Sequence, residues 1–204
     1  MASLAFALPA GATDRTLLVM GDSLSAAYGV ESGTAWVNLL RTRLDQHDSG
    51  DWRVVNASIS GETTDGGARR LPDQLDKHQP DIVIIELGGN DGLRGFQPPV
   101  IRDNLSAMIE ASQDAGARVL LVGMQIPPNY GERYTRLFAD MYPELAEEYD
   151  TALVPFFLEG VYNGERMMQE DGIHPTDEAQ PQLLENLWPH LEPLLEKEAV
   201  ATNR

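Results

Sequence analysis

The residues best equipped for chemistry are a serine and a histidine far apart in the chain. Ser23 lies in Gly21-Asp22-Ser23-Leu24-Ser25, directly after the apolar run Leu17 to Met20, and His174 follows Asp171 by three residues. Serine, imidazole and carboxylate are the parts of nucleophilic acyl transfer. The hydroxyl attacks a carbonyl carbon, the imidazole takes its proton and later returns it, and the carboxylate holds the imidazole in the right tautomer. Asp171 and His174 are near enough for both side chains to come from one turn, with Gly172 relaxing the backbone and Pro175 opening the last helix. Taken alone, Ser23 also reads as a helix N-cap. The Gly-x-Ser-x-Gly elbow is absent, because position 25 is Ser25. The remaining histidines, His47, His78 and His190, fall in amphipathic or proline-rich helical stretches and read as solvated surface residues.

Acyl transfer also needs donors for a tetrahedral oxyanion. Candidates are the amide of Ser23, the amide of Gly61 in Ser58 to Thr63, and the side-chain NH2 of Asn90 in Gly88-Gly89-Asn90-Asp91-Gly92. Gly61 reads equally as a turn glycine and Asn90 as an Asx-turn residue. Asp22 and Asp91 are expected to anchor their loops by hydrogen bonds. The segment Gly92-Leu93-Arg94-Gly95-Phe96-Gln97 has the flexibility of a lip over an acyl chain, or of an ordinary loop, and Phe156 and Phe157 read as core.

Positioning these groups requires a scaffold, and the hydrophobic pattern supplies one. Strand-like runs at Leu17 to Met20, Trp52 to Ala57, Ile82 to Leu87, Val119 to Val122 and, weakly, Ala152 to Pro155 alternate with helical spacing at Trp36 to Gln46, Thr64 to His78, Pro99 to Ala115 and Tyr134 to Tyr149. A final stretch, Thr176 to Glu198, carries Pro181, Pro189 and Pro193, which are expected to divide or bend it. This alternation predicts one α/β domain with five parallel strands. Ligands of such sheets bind beyond the carboxyl ends of the strands, which is where Ser23, Gly61 and Asn90 fall.

Composition narrows the function classes. The 204 residues include no cysteine, so thiolate metal sites, disulfides and a cysteine nucleophile are excluded. A net charge of −17, with 32 acidic residues against 13 Arg plus Lys77 and Lys197, argues against nucleic acid and anionic membrane partners. That acidity fits either a soluble acidic protein or adaptation to high salt. No apolar run reaches the 18 or more residues of a membrane span, so stable membrane insertion is not expected. Residues 1–15 are expected to be a signal remnant or disordered N-terminus, 16–198 the single domain and 199–204 a tail. Leu8-Pro9-Ala10-Gly11-Ala12 looks like the end of a secretory segment, although no positively charged region precedes it.

Together, Gly-Asp-Ser-Leu at Gly21 to Leu24, the glycine of Ser60-Gly61-Glu62, Gly-x-Asn-Asp at Gly88 to Asp91 and Asp-x-x-His at Asp171 to His174 resemble the four blocks of the SGNH, or GDSL, hydrolase family, in order. Ser23 to Gly29, Gly88 to Gln97, Asn129 to Tyr134, Tyr142-Pro143, Pro155-Phe156-Phe157 and Val161-Tyr162 extend the similarity to its bacterial periplasmic thioesterase and lysophospholipase branch. The resemblance implies a three-layer α/β/α, flavodoxin-like fold and a monomeric, metal-free and cofactor-free enzyme of the periplasm or exterior, acting on small acyl esters or thioesters. It implies Ser23 as nucleophile, His174 as general base then acid, Asp171 as its orienting partner, and Ser23, Gly61 and Asn90 as the oxyanion hole. It also marks Gly92, Leu93, Arg94, Gly95 and Phe96 as a substrate-responsive loop, and Ile126, Pro127 and Tyr130 as a chain-length wall. Three rivals remain: a carbohydrate acetylesterase of the same family, a non-catalytic lipid-binding module, and a metal-dependent phosphoesterase using Asp22, Asn90, Asp91, Asp171 and His174, which has too few histidines for a two-metal site.

Overall fold

The structure, a computed structural model, describes residues 15–47 and 51–196; the expected signal remnant at Met1 to Ala12 and the tail at 199–204 lie outside the described residues. Five parallel strands, β1 (Arg15–Gly21), β2 (Trp52–Asn56), β3 (Ile82–Glu86), β4 (Arg118–Val122) and β5 (Ala152–Val154), form one sheet in the order β2-β1-β3-β4-β5. The central strand β3, Ile-Val-Ile-Ile-Glu, is buried at every position, as a parallel strand covered on both faces must be. The edge strands β2 and β5 are only partly buried, and β5 is three residues long, which limits the unpaired backbone it exposes.

Among the described residues six α-helices accompany the sheet: α1 (Trp36–Asp45), α2 (Thr64–His78), α3 (Gly89–Leu93), α4 (Pro98–Asp114), α5 (Glu132–Glu148) and α6 (Gln180–Glu196). α1 and α6 pack together on one face, and α2, α4 and α5 form the layer on the other. The three-layer, flavodoxin-like architecture expected of the sequence is therefore present. Its strand order reverses between β1 and β3, and the loops leaving these two strands diverge there to open a crevice.

Local chemistry explains the clean boundaries. α2 begins where Thr63 accepts from the Gly66 N–H at 3.4 Å and stops at Gln79, whose left-handed φ of 45° ends the helix; Leu71 and Leu75 bury its apolar side. Trp36, fully buried at the start of α1, rests edge-on against Phe157 and donates its indole N–H to the Leu24 carbonyl at 3.1 Å, so a core side chain braces the turn that carries Ser23.

Three expectations need correction. No helix begins at Ser23: left-handed φ angles at Ala27 (60°) and Gly29 (69°) stop the turn before it can propagate, so no helix dipole backs the serine. Residues 89–93, expected to be loop, form the short helix α3. Of the two effects expected of Pro189 and Pro193, division does not occur: the last helix runs unbroken from Gln180 to Glu196, one turn separating the two prolines. Carbonyls in its last turn accept from side chains instead, Leu195 from Arg15 at 2.9 Å and Leu194 from Arg118.

Among the described residues, Arg43–Glu185, Arg69–Asp65, Arg70–Glu62, Arg102–Glu148 and Arg166–Glu178 are paired. Apart from the more shielded Arg70–Glu62, pairs at least partly open to solvent such as these contribute about 0.2–1 kcal/mol each, and salt weakens them. Salt also screens the repulsion of an acidic excess of 17 charges, which acts over the whole surface. The excess outweighs the pairs, so the melting temperature should rise between low salt and about 1 M NaCl. A flat or falling melting temperature would reverse that ranking.

Candidate active site

The site is built from the loops that leave the carboxyl ends of β1 and β3 and from one late turn. Beyond Gly21 the chain makes a tight turn in which the Ala26 N–H donates to the Asp22 carbonyl at 2.9 Å and the Tyr28 N–H to the Ser23 carbonyl at 3.2 Å. Glycine is required at 21: a Cβ there would lie 2.6 Å from Glu86 Oε2 and 2.7 Å from Ser25 Oγ. The Ser23 hydroxyl faces His174 Nε2 at 3.0 Å rather than capping a helix.

His174 is delivered by a compact turn between Met168 and Pro175. Those two residues form an antiparallel bridge, the Gln169 N–H donates to the His174 carbonyl at 2.7 Å, and the Gly172 N–H to the Gln169 carbonyl at 2.9 Å. Pro175 thus closes this turn; it does not open the last helix as expected. Asp171 Oδ1 accepts the N–H groups of Ile173 (2.9 Å) and His174 (3.0 Å), while Oδ2 meets His174 Nδ1 at 2.6 Å. These bonds, the His174 N–H first, hold the Asp171 carboxyl down at about 2, so it is charged from about pH 4 upward. Asp171, His174 and Ser23 therefore form a continuous relay. The Tyr28 ring, 52% exposed, lies 4.5 Å from the imidazole centroid. Gln169 Nε2 bonds to the carbonyls of Tyr28 (3.0 Å) and Pro175 (2.9 Å), tying the two turns together.

Asn90 comes from α3. Its Nδ2 donates to Asp22 Oδ2 at 2.9 Å, and Asp22 Oδ1 accepts the Leu24 N–H at 3.0 Å, so Asp22 couples the serine turn to the asparagine. One N–H of the Asn90 amide remains for a ligand. Burial raises the Asp22 carboxyl to about 6 despite these donors. Glycine at 88 lets α3 start so close to the sheet: φ there is 113°, and a Cβ would overlap the Tyr142 hydroxyl, which donates to the Leu87 carbonyl at 3.0 Å. Asp91 is buried and accepts the Thr64 N–H (3.0 Å) and hydroxyl (2.6 Å), so it caps α2 and pins the loop after β2 to α3. Gly61, in that loop at φ 79°, has its carbonyl held by Arg94 Nη2 at 3.1 Å.

A cleft of about 170 Å³ opens over these groups, lined by Ser23, Asn90, His174 and Asp22 at one end and otherwise by apolar side chains. Of the residues expected to meet substrate, Leu93 and Pro127 line it; Gly92, Arg94, Gly95, Phe96, Ile126 and Tyr130 do not, nor does Gly61. Gly92 is packed inside, where a Cβ would approach Ile126 and Phe138 within 2.6 and 2.7 Å. The expected lip is also fastened: Tyr130 donates to the Leu93 carbonyl (2.8 Å) and Tyr134 to the Phe96 carbonyl (2.6 Å). The walls that the sequence reading missed are Met124, Leu158, Tyr162, Met168 and Ile173, drawn from three loops with no shared motif. It also missed Glu86, whose signal was available: a carboxylate closing an otherwise apolar strand. His47, His78 and His190 lie elsewhere, His47 against Trp188 and His190 at the opposite end of the sheet.

Residues 19–180 match the model of the GDSL-like Lipase/Acylhydrolase family. The chain is 56% identical to "Esterase TesA" of Pseudomonas aeruginosa over 185 residues, 90% of this chain and 91% of that one. It is 47% identical to "Thioesterase 1/protease 1/lysophospholipase L1" of Escherichia coli over 180 residues, 88% and 85% of the two chains. Among solved structures, a crystal structure of TesA superposes with a TM-score of 0.86 at 55% identity, covering 88% of this chain and 99% of that one. The esterase EstA of Pseudoalteromonas, inhibited by monoethylphosphonate, does so with 0.84 at 40%, covering 90% and 100%.

Proposed function

Because the chain belongs to the GDSL-like lipase/acylhydrolase family, we propose that it hydrolyses carboxylic esters and thioesters through an acyl-enzyme on Ser23. The observation that carries this reading is the relay of 2.6 Å from Asp171 to His174 and 3.0 Å from His174 to Ser23 at the end of an apolar cleft. His174 Nε2 takes the Ser23 proton as Oγ bonds to the acyl carbon, and then gives it to the departing oxygen or sulfur. Water repeats the sequence on the acyl-enzyme, with His174 again as base and Ser23 as leaving group. The amide of Ser23 and the free N–H of Asn90, residues that both line the cleft, receive the oxyanion; one such donor is worth about 2.7–4 kcal/mol in the transition state.

The relay engages Asp171 and His174 with each other instead of aiming them at a common point. Among the described residues, no group of three or more His, Asp or Glu side chains is placed to hold a metal ion. The phosphoesterase reading has no support in that arrangement. No helix among the described residues is long and apolar enough to cross a membrane. Leu8 to Ala12 supports a location in the periplasm or outside the cell, and the proposed working form is a monomer.

Leu93, Met124, Leu158 and Met168 give the cleft an acyl-binding character that an acetyl group cannot exploit. With about 0.8 kcal/mol per buried methylene, kcat/KM for p-nitrophenyl esters should rise by up to about fourfold per carbon from C2 until the cleft is filled, and acyl-CoA thioesters should be cleaved as well. A maximum at acetate, with longer chains rejected, would favour a carbohydrate acetylesterase. An organophosphonate should add one phosphonyl group per chain to the parent and none to Ser23→Ala; labelling that survives the substitution overturns the assignment of the nucleophile.

A further inference from the structure

We propose that Glu86 is a positioning residue of this reaction, acting as an uncharged acid beneath the nucleophile turn and leaving Asp22 as the carboxylate that holds Asn90. This role rests on Ser23 being the nucleophile.

Glu86 ends the central strand, paired in register with Gly21, two residues before Ser23. Its side chain is completely buried. Oε2 shares a 2.7 Å hydrogen bond with Ser25 Oγ and accepts the Asp22 N–H at 3.3 Å, while Oε1 is buried with no partner. The carboxyl therefore grips the nucleophile turn on both sides of Ser23, through residue 22 and through residue 25. Gly21 has the only side chain, a hydrogen, that leaves room for it. Among the described residues no Lys, Arg or His pairs with Glu86. A charge with one orphaned oxygen and no counter-ion is costly to bury, whereas a neutral acid is much less so.

Two buried carboxyls in this small space will not both ionise readily. Asp22 has two good donors, the Leu24 N–H and the Asn90 amide, and the His174 side chain also favours its charge. Glu86 faces the Asp22 carboxyl from the turn and the Tyr142 phenol from α5, neither of which stabilises a negative charge on it, and the Ser25 hydroxyl and Asp22 N–H, which do favour that charge, are outweighed by burial; Asp91 in α3 bears on Asp22 and Tyr142. Burial, then the Asp22 charge, push the Glu86 carboxyl well above its ordinary range. The division of labour follows: the neutral acid fixes where Ser23 stands, and the anion fixes where Asn90 points.

The test compares Glu86→Gln, Glu86→Leu and Ser25→Ala with the parent, by kcat and KM on p-nitrophenyl butyrate and by melting temperature from pH 4 to 9. Leucine fills the volume without an acceptor, so kcat should fall by more than about tenfold with KM nearly unchanged. Glutamine keeps the neutral shape and should restore kcat to within about threefold of the parent. Ser25→Ala removes one of the two grips and should lower kcat by about threefold to tenfold, again without a matching change in KM.

For the charge state the sign is fixed. A carboxyl raised in the folded protein contributes stability that is present below the unfolded value of about 4.3 and is lost as pH rises towards the folded value. Glutamine has no such loss, so the Glu86→Gln melting temperature should gain on the parent as pH rises from about 4 to 8 and match it most closely at the acid end. Glutamine as impaired as leucine, or a melting difference independent of pH, would mean that Glu86 works as a carboxylate. Full kcat in Glu86→Leu would make the residue a filler. The melting arm is independent of catalysis, so it stands even if Ser23→Ala proves active and the assignment of the nucleophile fails.

Discussion

Ser23→Ala and His174→Ala should each lower kcat on p-nitrophenyl esters by a factor on the order of 10⁶, with the double variant no worse than either single one. The non-additivity follows from the 3.0 Å contact between Ser23 Oγ and His174 Nε2. Without the hydroxyl there is no proton for the imidazole to take, and without the imidazole the hydroxyl is too weak a nucleophile. The fold should survive. Ser23 leaves its turn braced by Trp36 and Asp22, and His174 sits on a turn whose backbone bonds do not involve the ring. Loss of one side-chain hydrogen bond costs about 1 kcal/mol, a shift of a few degrees in melting temperature for a chain of this size. Residual activity of Ser23→Ala within about tenfold of the parent would refute the mechanism.

Asp171→Asn is the more discriminating substitution, with an expected loss of about 10⁴ in kcat and little change in KM. An amide at this position keeps the shape and the bonds from the Ile173 and His174 N–H groups to the side-chain oxygen. Its NH2, however, donates to His174 Nδ1 and leaves the proton on Nε2, where a base must have a lone pair for Ser23. In the parent the Asp171 carboxyl titrates at about 2, so it contributes no inflection to kcat at pH 4 or above. Its depressed value also means that the stability it confers is present above about pH 4 and is lost between about 4 and 2. A deficit smaller than about tenfold at pH 7 would transfer the orienting job to the Tyr28 ring and the Gln169 clamp.

How much could be read in advance depended on how local each signal was. The strands and most helix boundaries follow from short-range pattern. The run Ile82 to Glu86 has the continuous branched residues of a doubly covered strand, and α2 matches its expected span because Thr63 and Gln79 terminate it within its own sequence. The relay was legible because Asp171 and His174 share one turn and Ser23 closely follows a strand. What failed was non-local. α3 hides in glycines that disfavour helices, and it exists because Tyr142 and Thr64 hold its neighbours from other elements. The fastened lip depends on Tyr130 and Tyr134, some 37 and 38 residues from the carbonyls they bind. Cleft walls such as Met124 and Leu158 are ordinary apolar residues until the fold gathers them. Glu86 was visible as an oddity, but its meaning needed Gly21, Asp22 and Ser25 around it.

The hydrogen bond that joins nucleophile to base spans 151 residues of chain. Synthesis runs from the N-terminus, so a ribosome-bound chain exposes Ser23, and later Asn90, well before residue 174 has been made. On the proposed roles, such a nascent chain has a nucleophile with no base. All five strands, and the turn braced by Trp36, precede residue 174 in the chain and on those roles give no capacity to cleave an ester without it. On the same proposed roles, hydrolytic competence arrives in one step, when the turn from Met168 to Pro175 docks over the first one. Premature termination anywhere before that turn should therefore yield an inert product rather than a partly active one.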